Sequence, residues 1–411
     1  MTTLRDRWRR LALASHGRAG EVFLSAAILL ITLGTVMVFS ASFFHQSVGG
    51  DPYLFLRRQF EWLPIAALFG AAAWRIDYRE LARRHLWVFG IAALLLGLVL
   101  VPGIGTRVNG AQRWIRFGSS QLQFQPSELA KLAVVIFIAG FLARGPDRVR
   151  SFWKGLAPLG AGIFLLVGLI LIEPDFGTAL FVLLLAAVVI LIAGVPKRYA
   201  ILSGLVAAPP LILFMQWRWE QIRPRLMAFI EPESIYQVKQ SLIGLAAGGI
   251  LGTGLGAGGQ KLKNLPEPQT DFIFTVVGEE LGLVGSVAVI ALFLCLLASG
   301  ALVAWRARDR FGFLLASGIV ISLTLQAAIN IAVVTASAPT KGIPLPFLTF
   351  GRSGLVMTLI EVGLLLSVDR MSRAALAATE GAASLASEAA TLASEGASAA
   401  PPAFAAGGRV A

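Results

Sequence analysis

Asp271 stands at the join between a polar, Gly- and Pro-rich segment and an apolar run long enough to cross a membrane, within AGGQKLKNLPEPQTDFIFTVVGEELG at 257–282. A carboxylate held at a water–lipid boundary, beside a segment carrying Lys261 and Lys263, suits chemistry on a lipid-linked anionic substrate. It can serve as a base toward a hydroxyl while nearby cations stabilise a phosphate leaving group. Lys341 in TKGIPLPFLTFGR and Arg352 fall on the same face of the expected topology, and Glu279 and Glu280 follow Asp271 along its helix. A plainer reading is also open: Thr270-Asp271 starts a helix, and the carboxylate meets its dipole.

Three other polar sets carry alternatives. In FQPSELAK, 124–131, Pro126 fits a first helical position and Glu128 the first turn. Lys131 lies three residues further on the same face and about one turn deeper, where an ionisable group is costly unless it is paired or lines a polar cavity. The pair is therefore expected to face an internal cavity, with interfacial snorkelling of Lys131 as the alternative. In NGAQRWIRFG, 109–118, Arg113 and Arg116 flank Trp114. They suit either an interfacial anchor or a phosphate contact. Glu173-Pro174-Asp175 reads as a sharp turn in which Asp175 caps the next helix. The glycines of 244–263 lack a preceding strand and a Gly-Lys-Ser/Thr, so a nucleotide loop is a weak reading and closely packed backbone a better one.

The elements that must position these residues are membrane spans. Hydrophobic residues make up 56% of the 411 and charged residues 14%, with a mean hydropathy of +0.76, too little polar surface for a water-soluble globule. A net charge of +12 does not indicate a nucleic-acid partner, because the basic residues sit in short clusters between apolar runs. The lone Cys295 lies in an apolar run, and His16, His45 and His85 lack metal-ligand spacing. The expected fold is an all-α polytopic membrane protein of about ten spans, near 21–41, 60–75, 86–102, 126–143, 156–173, 177–195, 199–217, 272–304, 311–334 and 353–368. The eighth is long enough to be tilted or broken near Gly282 or Gly285. The first reads as a retained span or signal anchor.

More than half of the 35 Lys and Arg fall in the N-terminal 20 residues, the loops 75–85, 144–154 and 305–310, Lys197/Arg198 and Arg370/Arg373, which makes that face and both termini cytoplasmic. The chain divides into a basic N-terminus at 1–20, a membrane domain at 21–370 with a large extracytoplasmic loop at 218–271, and an Ala/Ser-rich tail at 371–411, expected to be disordered apart from a possible helical stretch. That large loop is basic (Arg218, Arg223, Arg225, Lys239, Lys261, Lys263) against the usual bias. An anionic ligand is the functional explanation, and attraction to lipid headgroups the alternative.

NGAQRWI, FQPSELAK, EPDFGTAL (173–180), YQVKQSL (236–242), GLGAGGQKLKNLPEPQTDFIFTVVGEELGLVG (254–285) and APTKGIPLPFLTFGRSG (338–354) together resemble the SEDS family (shape, elongation, division and sporulation), the polytopic peptidoglycan glycosyltransferases represented by FtsW and RodA, in the family's order. QKLKNLPE, LQAAIN at 325–330 and PTKG resemble the division-type branch, FtsW, more than RodA. The resemblance implies polymerisation of lipid II with inversion at the donor sugar, in the bacterial inner membrane at the division septum. It makes Asp271 the general base, puts Glu128, Lys131 and Asp175 at the substrate, and offers Arg113, Arg223, Arg225 and Lys341 as diphosphate or sugar contacts. Charge neutralisation of the diphosphate falls to these cations or to a divalent ion such as Mg or Mn. Implied partners are a class B penicillin-binding protein transpeptidase, other divisome proteins and membrane lipids. A lipid II flippase or transporter is the competing function, an elongation-type polymerase a second, and a scaffold without catalysis a third. One departure stands out: Phe350-Gly351-Arg352-Ser353 replaces the usual Tyr-Gly-Gly-Ser.

Overall fold

The computed structural model describes residues 18–43, 51–108, 111–116, 118, 123–145, 151–196, 236–262, 265, 268–339 and 342–398, with isolated positions between 198 and 223. The helices are α1 (Ala19–Ser42), α2 (Leu54–Arg75), α3 (Tyr78–Val99), α4 (Pro126–Ala143), α5 (Ala157–Ile172), α6 (Phe176–Ile192), α7 (Tyr236–Gly248), α8 (Ile273–Arg306), α9 (Arg310–Val334) and α10 (Arg352–Ser398). Among the described residues, six helices are long and apolar enough to cross a membrane: α1, α3, α4, α5 with its preceding π-helical turn, α8 and α9. Each expected span except the seventh falls on a helix; the seventh, 199–217, lies largely outside the described residues. The architecture is that of a polytopic helical membrane protein. On the outer helices large apolar side chains such as Ile28, Leu68, Leu94 and Leu294 are exposed, as a hydrocarbon solvent requires. By contrast α4 is buried on nearly every side, which fits a sequence apolar around its whole circumference. It is the central post, packed between α3, α9 and α6.

Four features add detail to the expected spans and loops. The 103–125 loop contains an antiparallel sheet of β1 (Gly105–Val108), β2 (Ala111–Arg116) and β3 (Gln123–Phe124), in that order. Among the described residues the fold is helical apart from this small sheet. The described part of the 218–271 segment is no free loop, because α7 packs along α8. Ser241 Oγ lies 2.6 Å from Thr275 Oγ1 and donates to the Val334 carbonyl at 2.8 Å.

The third feature is the break in α8, which falls at Gly282 (φ 66°, ψ −162°). A break inside a membrane helix frees backbone polar groups that lipid cannot satisfy. Here the 249–254 backbone takes them up: Thr253 and Gly254 N–H donate to the Glu279 and Glu280 carbonyls at 2.9 and 3.1 Å, while Leu283 and Val284 N–H donate to Gly249 and Ile250 at 2.9 and 3.2 Å. A Cβ on Gly282 would come within 2.3 Å of the Gly252 nitrogen, so only glycine fits. Finally, α10 continues to Ser398, along the Ala-rich stretch in which a helix was one of the expected forms. Runs of Ala, Leu and Glu have strong intrinsic helix propensity, and this outweighs the lack of bulky apolar residues. Residues from Arg370 onward form a unit separate from 1–369.

Candidate functional site

The turn carrying Asp271 is held from three directions. Its helix, α8, begins two residues later. From α9, Asn330 Nδ2 donates to the carbonyls of Asp271 and Ile343, each at 2.8 Å. From the 342–350 loop, Phe350 N–H donates to the Gln269 carbonyl at 3.0 Å. Asp271 is half-buried, and its carboxylate lies against Gly342, where an added Cβ would stand 3.0 Å from Oδ2.

Gly342 also lines a polar cavity of about 30 Å³ with Gln125, Glu128, Lys131, Thr178 and Gln326. Within it Lys131 Nζ sits 2.8 Å from Glu128 Oε2 and donates to Gln326 Oε1 at 2.8 Å. The Phe181 ring lies 5.5 Å from the same ammonium. Both partners are buried, so Lys131 faces the interior and does not snorkel. Gln326 Nε2 in turn donates to the Pro344 carbonyl at 2.8 Å, tying the charge pair to the loop that touches Asp271. A space of this size admits a water or two. Glu128 and Lys131 thus form a polar node that lines an internal cavity beside the loop touching Asp271.

Asp175 caps α6, accepting from Thr178 N–H at 3.2 Å and from Thr178 Oγ1 at 2.9 Å. The capping reading is the geometry found, and through Thr178 it borders the same cavity. Arg113 is not spread toward a ligand. Its guanidinium donates to the Glu173 carbonyl at 3.2 Å and to the Pro174 carbonyl, and lies 3.9 Å from Asp175 Oδ1. β2 therefore clamps the 173–175 turn. Arg223 is exposed, while Arg225 and Lys341 lie outside the described residues. Lys261 is also placed otherwise than expected: it is fully buried, 2.6 Å from Glu280 Oε1 and 2.9 Å from Ser40 Oγ. Together with Glu279, which accepts from Gly259 and Gln260 N–H at 2.7 and 3.1 Å, it fastens the glycine-rich segment to α8.

Four residues escaped sequence reasoning. Gln326 and Asn330 sit one turn apart on α9, where two amides in an apolar helix were a readable signal of inward polar work. Glu361 of α10 is buried, accepts from Ser322 Oγ at 3.4 Å, and has Lys131 and Glu128 as its charged neighbours. The fourth is Glu173, in the turn just beyond α5. Both of its carboxylate oxygens are buried without a hydrogen-bond partner. Burial, with the Asp175 charge adding and Arg113 opposing, pushes its pKa up to about 9, so it is a neutral acid at pH 7. Among the described residues no three His, Cys, Asp or Glu side chains gather as a metal cage.

Comparison with known proteins places this geometry. The model of the FtsW/RodA/SpoVE family, described as a cell cycle protein, matches residues 21–374. A probable peptidoglycan glycosyltransferase FtsW of Geobacter metallireducens is 41% identical over 374 residues, covering 87% of this chain and 96% of its own. Stage V sporulation protein E of Bacillus subtilis is 37% identical over 351 residues, covering 84% and 95%. Among solved structures, a chain from work titled as structural coordination of polymerization and crosslinking by a peptidoglycan synthase complex is 30% identical with a TM-score of 0.68, covering 85% of this chain and 97% of that one. The rod shape determining protein RodA of Thermus thermophilus is 29% identical with a TM-score of 0.62, covering 85% and 95%. The chain thus belongs to the FtsW/RodA/SpoVE family.

Proposed function

We propose that this protein is a peptidoglycan glycosyltransferase that polymerises lipid II, with Asp271 as the base. The observation that carries the reading is the placement of Asp271: half-buried at a helix start, its backbone held by Asn330 and its carboxylate against the Gly342 backbone. The acceptor sugar hydroxyl attacks the anomeric carbon of the donor, the bond to the lipid diphosphate breaks, and the hydroxyl proton passes to the Asp271 carboxylate. Attack opposite the leaving group inverts that carbon. The Glu128–Lys131–Gln326 node holds the 342–344 segment of the loop beside the aspartate. A divalent ion, if used, would be held by Asp271 together with substrate phosphate oxygens, a common arrangement for Mg²⁺, and would offset diphosphate charge.

The reading extends to topology and partners. Both termini face the cytoplasm, and the Asp271 end of the bundle faces outward, supported by the distribution of Lys and Arg. A class B penicillin-binding protein is the partner, supported by the structural relative's title, which couples polymerisation to crosslinking. The branch is the division type, supported by the FtsW-named relatives. The test is glycan formation from lipid II by the purified protein with its transpeptidase, with and without Asp271→Ala. A loss of about 10²- to 10⁴-fold at unchanged folding is expected. Wild-type rates from the variant would remove the base, and lipid II crossing vesicles without polymer would replace the enzyme by a flippase.

A further inference from the structure

The lobe at 236–262 carries a surface that the Asp271 site does not use. α7 runs beside the first turns of α8, with Ser241 at Thr275 and Gly248 against the Gly278 backbone, and the chain then turns at 249–257 next to the Gly282 break. From Ser241 to Gln260 it holds no Asp, Glu, Lys or Arg. At the turn Ile250, Leu251 and Leu255 are 69%, 81% and 61% exposed. Leu283 and Val284 of α8, which donate to Gly249 and Ile250, are exposed as well, and so is Phe43 of α1, which shares a groove with Leu255. One apolar surface therefore runs from the turn onto two helices.

Two observations say what covers it. A turn exposed to water can leave its backbone to the solvent, whereas in lipid each polar group needs a partner within the protein. Here the N–H groups of Gly252, Thr253, Gly254 and Ala257 donate to the carbonyls of Gly248, Glu279, Glu280 and Gly254 at 2.8, 2.9, 3.1 and 3.1 Å, and Gly256 N–H donates to Glu280 Oε2 at 3.1 Å. Thr253 Oγ1 is engaged too, donating to the Glu279 carbonyl at 3.1 Å. The charges beneath the turn, Lys261 and Glu280, are buried against each other at 2.6 Å and do not reach its surface. The second observation is depth. About 20 helical residues cross the hydrocarbon core, and counted back from Arg306, the end of α8, they reach Val287. Leu283 and Val284 lie one turn further, so the residues bonded to them stand where hydrocarbon gives way to headgroups.

We infer that the 249–257 turn is a membrane-insertion loop: Ile250, Leu251 and Leu255 enter the acyl region of the leaflet opposite Arg306 and seat the 236–262 lobe in the bilayer. Part of the segment that charge and hydropathy assign to a large loop outside the membrane is thereby an element of the membrane boundary. Hydrocarbon fits this surface better than a docked protein does. A protein interface carries hydrogen bonds and a polar rim, and the turn has one side-chain hydroxyl, that of Thr253, already engaged. The inference does not depend on the proposed glycosyl transfer or on which side of the membrane is outside, because the level of the turn is measured from Arg306 along α8.

The experiment is nitroxide labelling of single cysteines in the full chain, with Cys295→Ser as background, reconstituted in vesicles of phosphatidylethanolamine and phosphatidylglycerol. Relaxation of each label by oxygen, which concentrates in hydrocarbon, is compared with relaxation by a nickel chelate, which stays in water. Leu251→Cys and Leu255→Cys replace exposed side chains, so one serves if the other fails to fold. Both should show an oxygen-to-nickel ratio close to that of Leu294→Cys on the lipid-facing side of α8, and severalfold above that of Lys239→Cys at the exposed start of α7. Adding Leu251→Asp to Leu255→Cys should raise nickel access at 255, because a carboxylate draws the turn out of the hydrocarbon. Nickel access at 251 and 255 equal to that at 239 would overturn the inference. So would exclusion of both reagents from the two sites, which would give the surface to a second copy of the chain.

Discussion

Asn330 Nδ2 lies 2.8 Å from the main-chain oxygen of Asp271 and, through its second hydrogen, 2.8 Å from that of Ile343. One amide from the middle of the bundle therefore sets the spacing between the aspartate and the loop it touches. Asn330→Ala leaves two carbonyls without that donor, at about 1–3 kcal/mol for each that stays buried. A shift on the order of 1 Å at the aspartate is worth about 10²-fold in turnover. Glycan synthesis by the variant should fall by that order, with a lowered melting temperature. A rate within twofold of wild type would show that Asn330 does not position the base.

Much of this arrangement was readable before any coordinates, and the part that was not has a physical reason. The start of α4 at Pro126, its Glu128 in the first turn and the break of α8 at Gly282 follow from local rules of proline, charge and glycine. Hydropathy likewise locates α8 and α9, because an apolar run of that length has few other places to go. Tertiary pairing obeys no local rule. Nothing near Arg113 in the chain announces that its guanidinium grips the 173–175 turn, and nothing near Lys261 announces Glu280 and Ser40. The sheet at 105–124 was hidden because its strands are short and lie in a loop judged only by its polarity.

Lys131 balances Glu128 at 2.8 Å, with Glu361 as a further acid nearby. Lys131→Met leaves these carboxyls without their cation, and breaking such a buried pair costs about 3–5 kcal/mol. The double variant Glu128→Gln/Lys131→Met restores neutrality and should recover much of the stability but not the activity. Thermal denaturation in detergent and the polymer assay read the two effects separately. A double variant no more stable than Lys131→Met alone would show that the charge balance is not what holds the node together.

Glu173 gives a pH signature. Its pKa is raised from an ordinary 4.5 to about 9 on folding, so the folded state holds a proton that the unfolded state has released between those values. Its contribution to stability is complete below pH 4.5 and is lost progressively as pH rises toward 9, by up to about 1.4 kcal/mol per pH unit. Glu173→Gln keeps the shape of the neutral acid and cannot ionise. Melting temperatures from pH 5 to 9 should fall less steeply in the variant than in the wild type, with the variant more stable at the alkaline end. Parallel curves would mean that Glu173 is ionised in the folded protein.

A helix of 34 residues ordinarily behaves as one rod, and the interruption at Gly282 divides this one at a joint. Its shorter half, leading away from Asp271, is fastened to the 256–260 backbone by the Glu279 and Glu280 carboxylates and to α1 through Ser40, whereas its longer half sets Gly300 against Val320 of α9 and Phe23 of α1. The turn carrying Asp271 is consequently tied to the lobe at 236–262 through the short half of α8 and to α9 through Asn330. Any protein gripping that lobe from outside would press on the turn that carries Asp271 without approaching its carboxylate.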